Sequence, residues 1–220
     1  MSEIYKLEKM DAFFDKRADT YDDHMMNDLQ LEEFYATVDE CFVGERVESL
    51  LDLGCGTGLE LELERFFRRF PRAAVTGIDL SAGMLALLQE KYPQQDLTLI
   101  CGSYFDVALG ENAYDCALST YSFHHFAQEE KQKLYEKIRR AVKPGGFFLL
   151  GDYTVDTPER VQELWEESVR LRREQGADSG FYHFDTPFTA EMEMALLRAA
   201  GFAEAVVVRR WESTTIIIAR

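Results

Sequence analysis

The chain of 220 residues carries 24 Lys and Arg against 40 Asp and Glu, a net charge of −16, with 46% hydrophobic and 13% aromatic residues. That apolar content excludes a disordered chain, and the length suits one α/β domain with a small appended cap. The acidity argues against nucleic acid as a partner, because no surplus of Lys and Arg exists to displace counterions from a phosphate backbone.

The charge is uneven. Residues 1–48 hold 14 acids and five bases, and the remainder carries only −7 of the total. This first segment reads as amphipathic helix, with Phe13, Phe14, Tyr21, Leu29, Leu31, Phe34 and Tyr35 among the acids. A helical cap over 1–48 is therefore expected before a main domain over 49–220. The start, Met1 to Lys6, lacks the basic and apolar character of a signal peptide, and no apolar run approaches the ~20 residues that span a bilayer. A cytoplasmic protein with no membrane partner is expected. Cys41, Cys55, Cys101 and Cys116 form no CxxC pair, so they read as free thiols, and no metal site is expected.

From residue 49 strands and helices alternate. Ser49–Gly54 is a short apolar strand ending in glycine. Leu59–Phe70 places Leu59, Leu63, Phe66, Phe67 and Phe70 at helical spacing and stops at Pro71. Ala73–Asp79 is the second strand, and Ser81–Tyr92 a helix with Ser81 as N-cap and Pro93 as its stop. Leu97–Cys101 and Tyr114–Ser119 are the third and fourth strands. Gln128–Val142 is an amphipathic helix, Pro144-Gly145-Gly146 a turn, and Phe147–Asp152 the fifth strand. Helices follow over Pro158–Gln175 and Ala190–Ala200, joined by an aromatic loop at 176–189. Phe202–Arg210 and Thr214–Ala219 leave no room for a crossover helix, so they form an antiparallel hairpin. The alternation implies a mostly parallel sheet covered by helices on both faces.

The sharpest motif is Asp52-Leu53-Gly54-Cys55-Gly56-Thr57-Gly58, a strand running into a glycine turn. Such a turn lets backbone approach a ligand, and N–H groups at the next helix start attract an anionic group. Asp79, at the tip of the second strand, stands where a carboxylate accepts bonds from ribose hydroxyls, or it merely caps the helix at Ser81. Together they point to an adenosine-containing ligand. The Gly-x-Gly-x-Gly spacing differs from the Gly-x-Gly-x-x-Gly of dinucleotide-binding proteins.

These residues, with Asp79-Leu80-Ser81-x-x-Met84 and Lys143-Pro144-Gly145-Gly146, closely resemble class I S-adenosylmethionine-dependent methyltransferases over roughly residues 10–220. The resemblance implies a Rossmann-like seven-stranded sheet of order 3-2-1-4-5-7-6, with strand 7 reversed, and S-adenosylmethionine as cofactor. It places Gly54 and Gly56 at the methionine end, with Asp52 fixing the loop or binding the amino group. Asp79 would hold the ribose, with Leu80 and Met84 flanking the adenine. Where the family often has Gly-Asp, this chain has Gly102-Ser103-Tyr104, so Ser103, Tyr104 or Asp106 takes the adenine contact, or Tyr104 packs. Ser119 and Thr120 would form the wall between cofactor and acceptor. Tyr21 resembles the tyrosine of the family's entry helix, which reaches over the cofactor. Arg17 either reaches a carboxylate or makes a surface ion pair.

The activity implied is in-line methyl transfer to a small-molecule acceptor. Where the acceptor must lose a proton, His124 or His125 is the candidate group, with His124 preferred. His183 is either a lid residue facing the acceptor or a member of an aromatic cluster. A cofactor-modifying enzyme resembling carboxy-S-adenosylmethionine synthases, using Arg172 or Arg173, and a non-catalytic cofactor-binding module are the alternatives. Oligomeric state is left open.

Overall fold

The computed structural model describes residues 5–29 and 31–220, and the side chains of all of these except Asp28, Leu63 and Glu64. Met1 to Ile4 lie outside the described residues, and the apolar role assigned to the Leu63 side chain falls outside the described side chains.

Strands β1 (Ser49–Leu53), β2 (Ala74–Asp79), β3 (Leu97–Cys101), β4 (Tyr114–Thr120), β5 (Val142–Tyr153), β6 (Ala205–Arg210) and β7 (Thr214–Ala219) form one sheet of order 3-2-1-4-5-7-6. The first five run parallel, and β7 pairs antiparallel with both β5 and β6, as the short Arg210–Thr214 connection requires. Alternation along each strand divides the apolar residues between two faces. Leu51, Leu53, Ala117, Phe148 and Leu150 point to one core, where α5 (Gln128–Ala141) and α7 (Ala190–Ala199) supply Leu134, Ile138 and Leu197. Leu50, Cys116, Leu118, Phe147 and Leu149 point to the other. There α3 (Glu32–Glu40) supplies Phe34, Tyr35 and Val38, and α4 (Ala82–Lys91) supplies Leu85 and Leu88. One helix of the acidic first segment is therefore part of the sheet's own cover.

The rest of that segment lies over the carboxyl ends of the strands. Short helices α1 (Met10–Asp15) and α2 (Ala18–Asp23) lead into a π-helical turn at His24–Asp28. Asp15 accepts from Ser81 Oγ and from the Gly83 amide at the start of α4, while Asp22 meets Thr57 Oγ1 and Lys91. The aromatic loop joins the same cover: the Met10 amide donates to Phe181 O and the His183 amide to Glu8 O. Between that loop and β5 runs α6 (Pro158–Glu174), capped by Thr157. Among the described residues, no helix is long and apolar enough to cross a membrane.

Two elements differ from the sequence reading. The helix expected over Leu59–Phe70 is broken into a 3₁₀ turn, Leu59–Leu61, and a π-helical turn, Leu63–Phe67. Glu62, with ψ of 137°, is extended between them, and the break leaves Glu60 and Leu61 both buried. The turn expected at Pro144-Gly145-Gly146 is instead the irregular start of β5, which pairs Val142 with Tyr114 and then Phe147 with Cys116. A side chain at Gly146 would stand 2.3 Å from the Asp115 carbonyl, so glycine permits this close register.

A buried ion pair joins α5 to α7: Lys131 meets Glu193, whose other oxygen accepts from Tyr135 Oη at 2.5 Å. Losing one partner strands a charge in the core. Glu193→Ala is expected to cost about 3 kcal/mol in urea unfolding, and Lys131→Met added to Glu193→Leu should recover most of it.

Candidate active site

The chain turns sharply after β1. Gly54, Gly56 and Gly58 all take positive φ (73°, 46° and 72°), which glycine adopts without strain. Gly54 is also the tightest approach in the site, since a Cβ there would lie 2.2 Å from Ser122 Oγ. The Gly54 and Cys55 amides donate to Ile78 O, tying the turn to the end of β2. Asp79 completes the tie, one oxygen accepting from the Gly56 amide at 2.9 Å and the other from the Ser81 amide at 2.8 Å. It therefore does cap the region of α4, and it also lines a cleft with Gly54, Gly56, Leu80, Met84 and Tyr104. Burial pushes the Asp79 carboxyl up, against the opposing pull of those amides. Met10, Phe14 and Tyr21 cover the cleft, which holds only about 40 Å³ beneath them.

Below the glycine turn, Asp52 and Glu60 face each other in the core. Glu60 accepts from Thr120 Oγ1 at 3.2 Å, but among the described residues, apart from the facing carboxyl of the pair, no donor reaches either oxygen of Asp52 or the second oxygen of Glu60. Burial, and then the Glu60 charge, push the Asp52 carboxyl well up. Burial also raises Glu60.

Beside the cleft opens a larger cavity of about 560 Å³. Four histidines line it, and three of them, His124, His125 and His183, gather at one wall. His124 is buried, with Nδ1 at 2.5 Å from Asp152 Oδ1 at the end of β5. Asp152 is held in turn by the Phe123 and Tyr153 amides, both at 2.9 Å. His125 Nδ1 lies 3.2 Å from the Phe184 carbonyl, and His183 stacks on Phe13 with centroids 3.6 Å apart. Asp185, on the aromatic loop, faces all three rings. Burial opposes charging His124, but Asp152 and Asp185 outweigh it and raise its pKa to about 9. Burial and the neighbouring His124 hold His125 well below the usual imidazole range. Burial pushes Asp185 up, yet its facing histidines, His124 first, hold it well below the usual carboxylate range.

A methyltransferase-domain profile matches residues 51–150. An uncharacterized methyltransferase of Bacillus cytotoxicus is 30% identical over 175 residues, 76% of each chain. The chain belongs to the class I S-adenosylmethionine-dependent methyltransferases. A malonyl-[acyl-carrier protein] O-methyltransferase of Priestia megaterium is 29% identical over 70% of this chain, which spans 55% of that relative's length. Two solved structures share the fold. An O-methyltransferase family protein of Burkholderia thailandensis superposes with TM-score 0.70 at 20% identity, covering 99% of this chain and 65% of the other. DhpI, in its SAM-HEP complex, gives 0.67 at 19%, covering 95% and 94%.

In this methyltransferase the cleft gathers most of the residues expected from sequence: Tyr21, Gly54, Gly56, Asp79, Leu80, Met84 and Tyr104. Three others lie off its wall. Asp52 sits in the core against Glu60. Ser103 Oγ accepts from the Phe105 amide, closing the turn after β3. Ser119 is fully buried and donates to Leu53 O at 2.7 Å, so its hydroxyl is spent within the sheet. Asp106 is exposed. Arg17 makes the plainer contact, an ion pair with Glu8 at 3.6 Å, while also lining the larger cavity. Arg172, named for a cofactor-modifying reading, donates to Gly180 O and faces the Tyr182 ring instead. Sequence reasoning missed Glu60, Ser122, Asp152 and Asp185. Asp152 had a signal, since β4 and β5 are neighbours and their ends must meet.

The Asp52–Glu60 pair generates a test. A carboxyl whose folded pKa lies above its unfolded one binds more protons folded, so it adds stability as pH falls. Asp52→Asn is expected to raise stability at pH 7 by about 1 kcal/mol or more. Urea unfolding from about pH 5 to pH 8 should show that advantage growing with pH.

Proposed function

We propose that this methyltransferase transfers the methyl group of S-adenosylmethionine to an oxygen of a small-molecule acceptor seated in the larger cavity. One observation carries the reading: Phe14, Tyr21, Tyr121 and His125 line both the cleft and the cavity, so a donor in one and an acceptor in the other would meet across the same side chains. The volume of 560 Å³ falls within the range of small-molecule sites. The O-methyltransferase names of two similar proteins support oxygen as the accepting atom.

The residues at the cleft suit the cofactor. Asp79 keeps carboxylate lone pairs for the ribose hydroxyls, the open face of Gly56 admits the methionine end, and Leu80, Met84 and Tyr104 offer apolar walls for the adenine. Asp52 and Glu60 lie beneath the cleft, where a cofactor carrying a sulfonium and an ammonium would favour the ionised form of carboxyls whose burial favours the protonated one. Ser103 and Ser119 act one step removed, shaping the turns that form the walls. S-adenosylmethionine supplies a methyl on a positively charged sulfur that becomes neutral on transfer. What the chain adds is alignment and exclusion of water, with the helical turns over 10–28 and the loop at 176–189 as the cover. His124, fixed through Nδ1 by Asp152 and facing Asp185 through Nε2, lines the acceptor cavity and is the proposed catalytic group.

Incubation with methyl-labelled cofactor and a cell extract separated by size tests the acceptor class. Label is expected in the small-molecule fraction, and label confined to protein would overturn this reading. Asp79→Ala should weaken cofactor binding by at least about tenfold, ~1.4 kcal/mol by calorimetry. His124→Gln should lower kcat by about a hundredfold while leaving cofactor affinity unchanged.

A further inference from the structure

The cluster at the cavity wall holds more than a pair of histidines needs. Asp185 Oδ1 lies 3.5 Å from His124 Nε2, 3.4 Å from His125 Nδ1 and 3.9 Å from His183 Nε2. Metal–nitrogen and metal–oxygen bonds of about 2.0–2.2 Å in a tetrahedral site set neighbouring ligand atoms about 3.4 Å apart. Two of the spacings already match that value. One ligand atom from each of His124, His125 and Asp185 lies within 4.8 Å of the others, so a modest turn of the His125 ring, trading its contact with Phe184 O, closes the set.

The surroundings are those of a ligand set. Metal-bound histidines usually pass their second ring nitrogen to a carboxylate, which fixes the tautomer. Asp152 does this for His124, and two backbone amides fix Asp152 itself. Asp152 and Asp185 bring two negative charges to the cluster, which one divalent cation balances. Asp185 is also the most accessible candidate ligand, 48% exposed on the aromatic loop, while His124 and His125 are nearly buried.

We propose that His124 Nε2, His125 Nδ1 and Asp185 Oδ1 bind one divalent first-row transition-metal ion, with His183 beside it as a further donor. Two imidazoles and one carboxylate suit zinc, iron, cobalt or nickel better than magnesium or calcium. The fourth position faces the 560 Å³ cavity. Resting on the acceptor reading above, an oxygen of the acceptor takes that position, and the ion stands between it and His124.

The metal alone is the probe. Chelator-treated full-length protein titrated with Zn²⁺ is expected to bind one ion per chain in calorimetry. Asp185→Asn and His125→Gln should each weaken that affinity by about tenfold or more. Long-range nitrogen NMR of the unaltered protein should show the His124 and His125 ring nitrogens shifting at one equivalent of Zn²⁺. No saturable binding up to about 1 mM, or undiminished affinity in both variants, overturns the site. So does binding that leaves those ring nitrogens unmoved. A failure here leaves labelled-methyl transfer untouched, and a failed transfer assay leaves the metal titration untouched.

Discussion

Gly54 and Ser122 meet so closely that not even one added carbon fits between them. That contact presses the turn after β1 against the turn after β4, the neighbouring strand in the sheet. It is the place where the chain, having run outward through β2 and β3, reverses to build β4 and β5, and such switch points open a crevice at the carboxyl ends of parallel strands. Much of the site follows from it. Ser122 reaches Tyr104 Oη at 3.0 Å, linking the turn after β3. Tyr121 is held at φ of 48°, unusual for a tyrosine, and so lines both chambers. The next residues, Phe123 to His125, wind into a 3₁₀ turn that sets the histidines at the cavity wall.

Carboxylates stand at the ends of β1, β2 and β5, and they are satisfied to different degrees. Asp79 accepts from two backbone amides, and Asp152 from two amides and a histidine. Asp52 faces another acid, Glu60, and apart from that carboxyl accepts from no described donor. Burying two acids without a cation costs stability, which the fold would not retain for packing alone. A site where a local rule is broken is where function is to be sought. On the proposed reading a cationic cofactor would sit in the cleft above them, and the cost of the pair would belong with its binding.

The sheet order was legible through the family resemblance that the glycine turn and its companion motifs carry, whereas the terminal antiparallel hairpin followed from the short connection alone. Asp79 was legible because its role follows from its place at the end of β2. The break at Glu62 was not, since apolar spacing is the same in a continuous helix and in one interrupted by an extended residue. Glu60 was hidden with it: in a regular amphipathic helix an acid among Leu59, Leu61 and Glu62 reads as solvated. His124 was visible as a residue type, but its chemistry depends on Asp152 and Asp185. Those come from β5 and from a loop some sixty residues downstream, and only tertiary packing brings them together.

The charge imbalance also gains a structural meaning. The acids of residues 1–48 are not all a solvated face, because Asp15 binds the start of α4 and Asp22 binds Thr57 and Lys91 beside the glycine turn. These contacts hold Phe14 and Tyr21 over the cleft, which is narrow beneath them. A cofactor seating there would displace part of that cover. Polar contacts near the surface suit that task, since each is worth little in water and weakens further in salt. Apolar burial holds the cover as well, since Met10 and Met25 reach the two cores, so the polar contacts set only part of the cost of opening it. The acids of the first segment thus let one layer be ordered enough to exclude water and loose enough to admit a ligand.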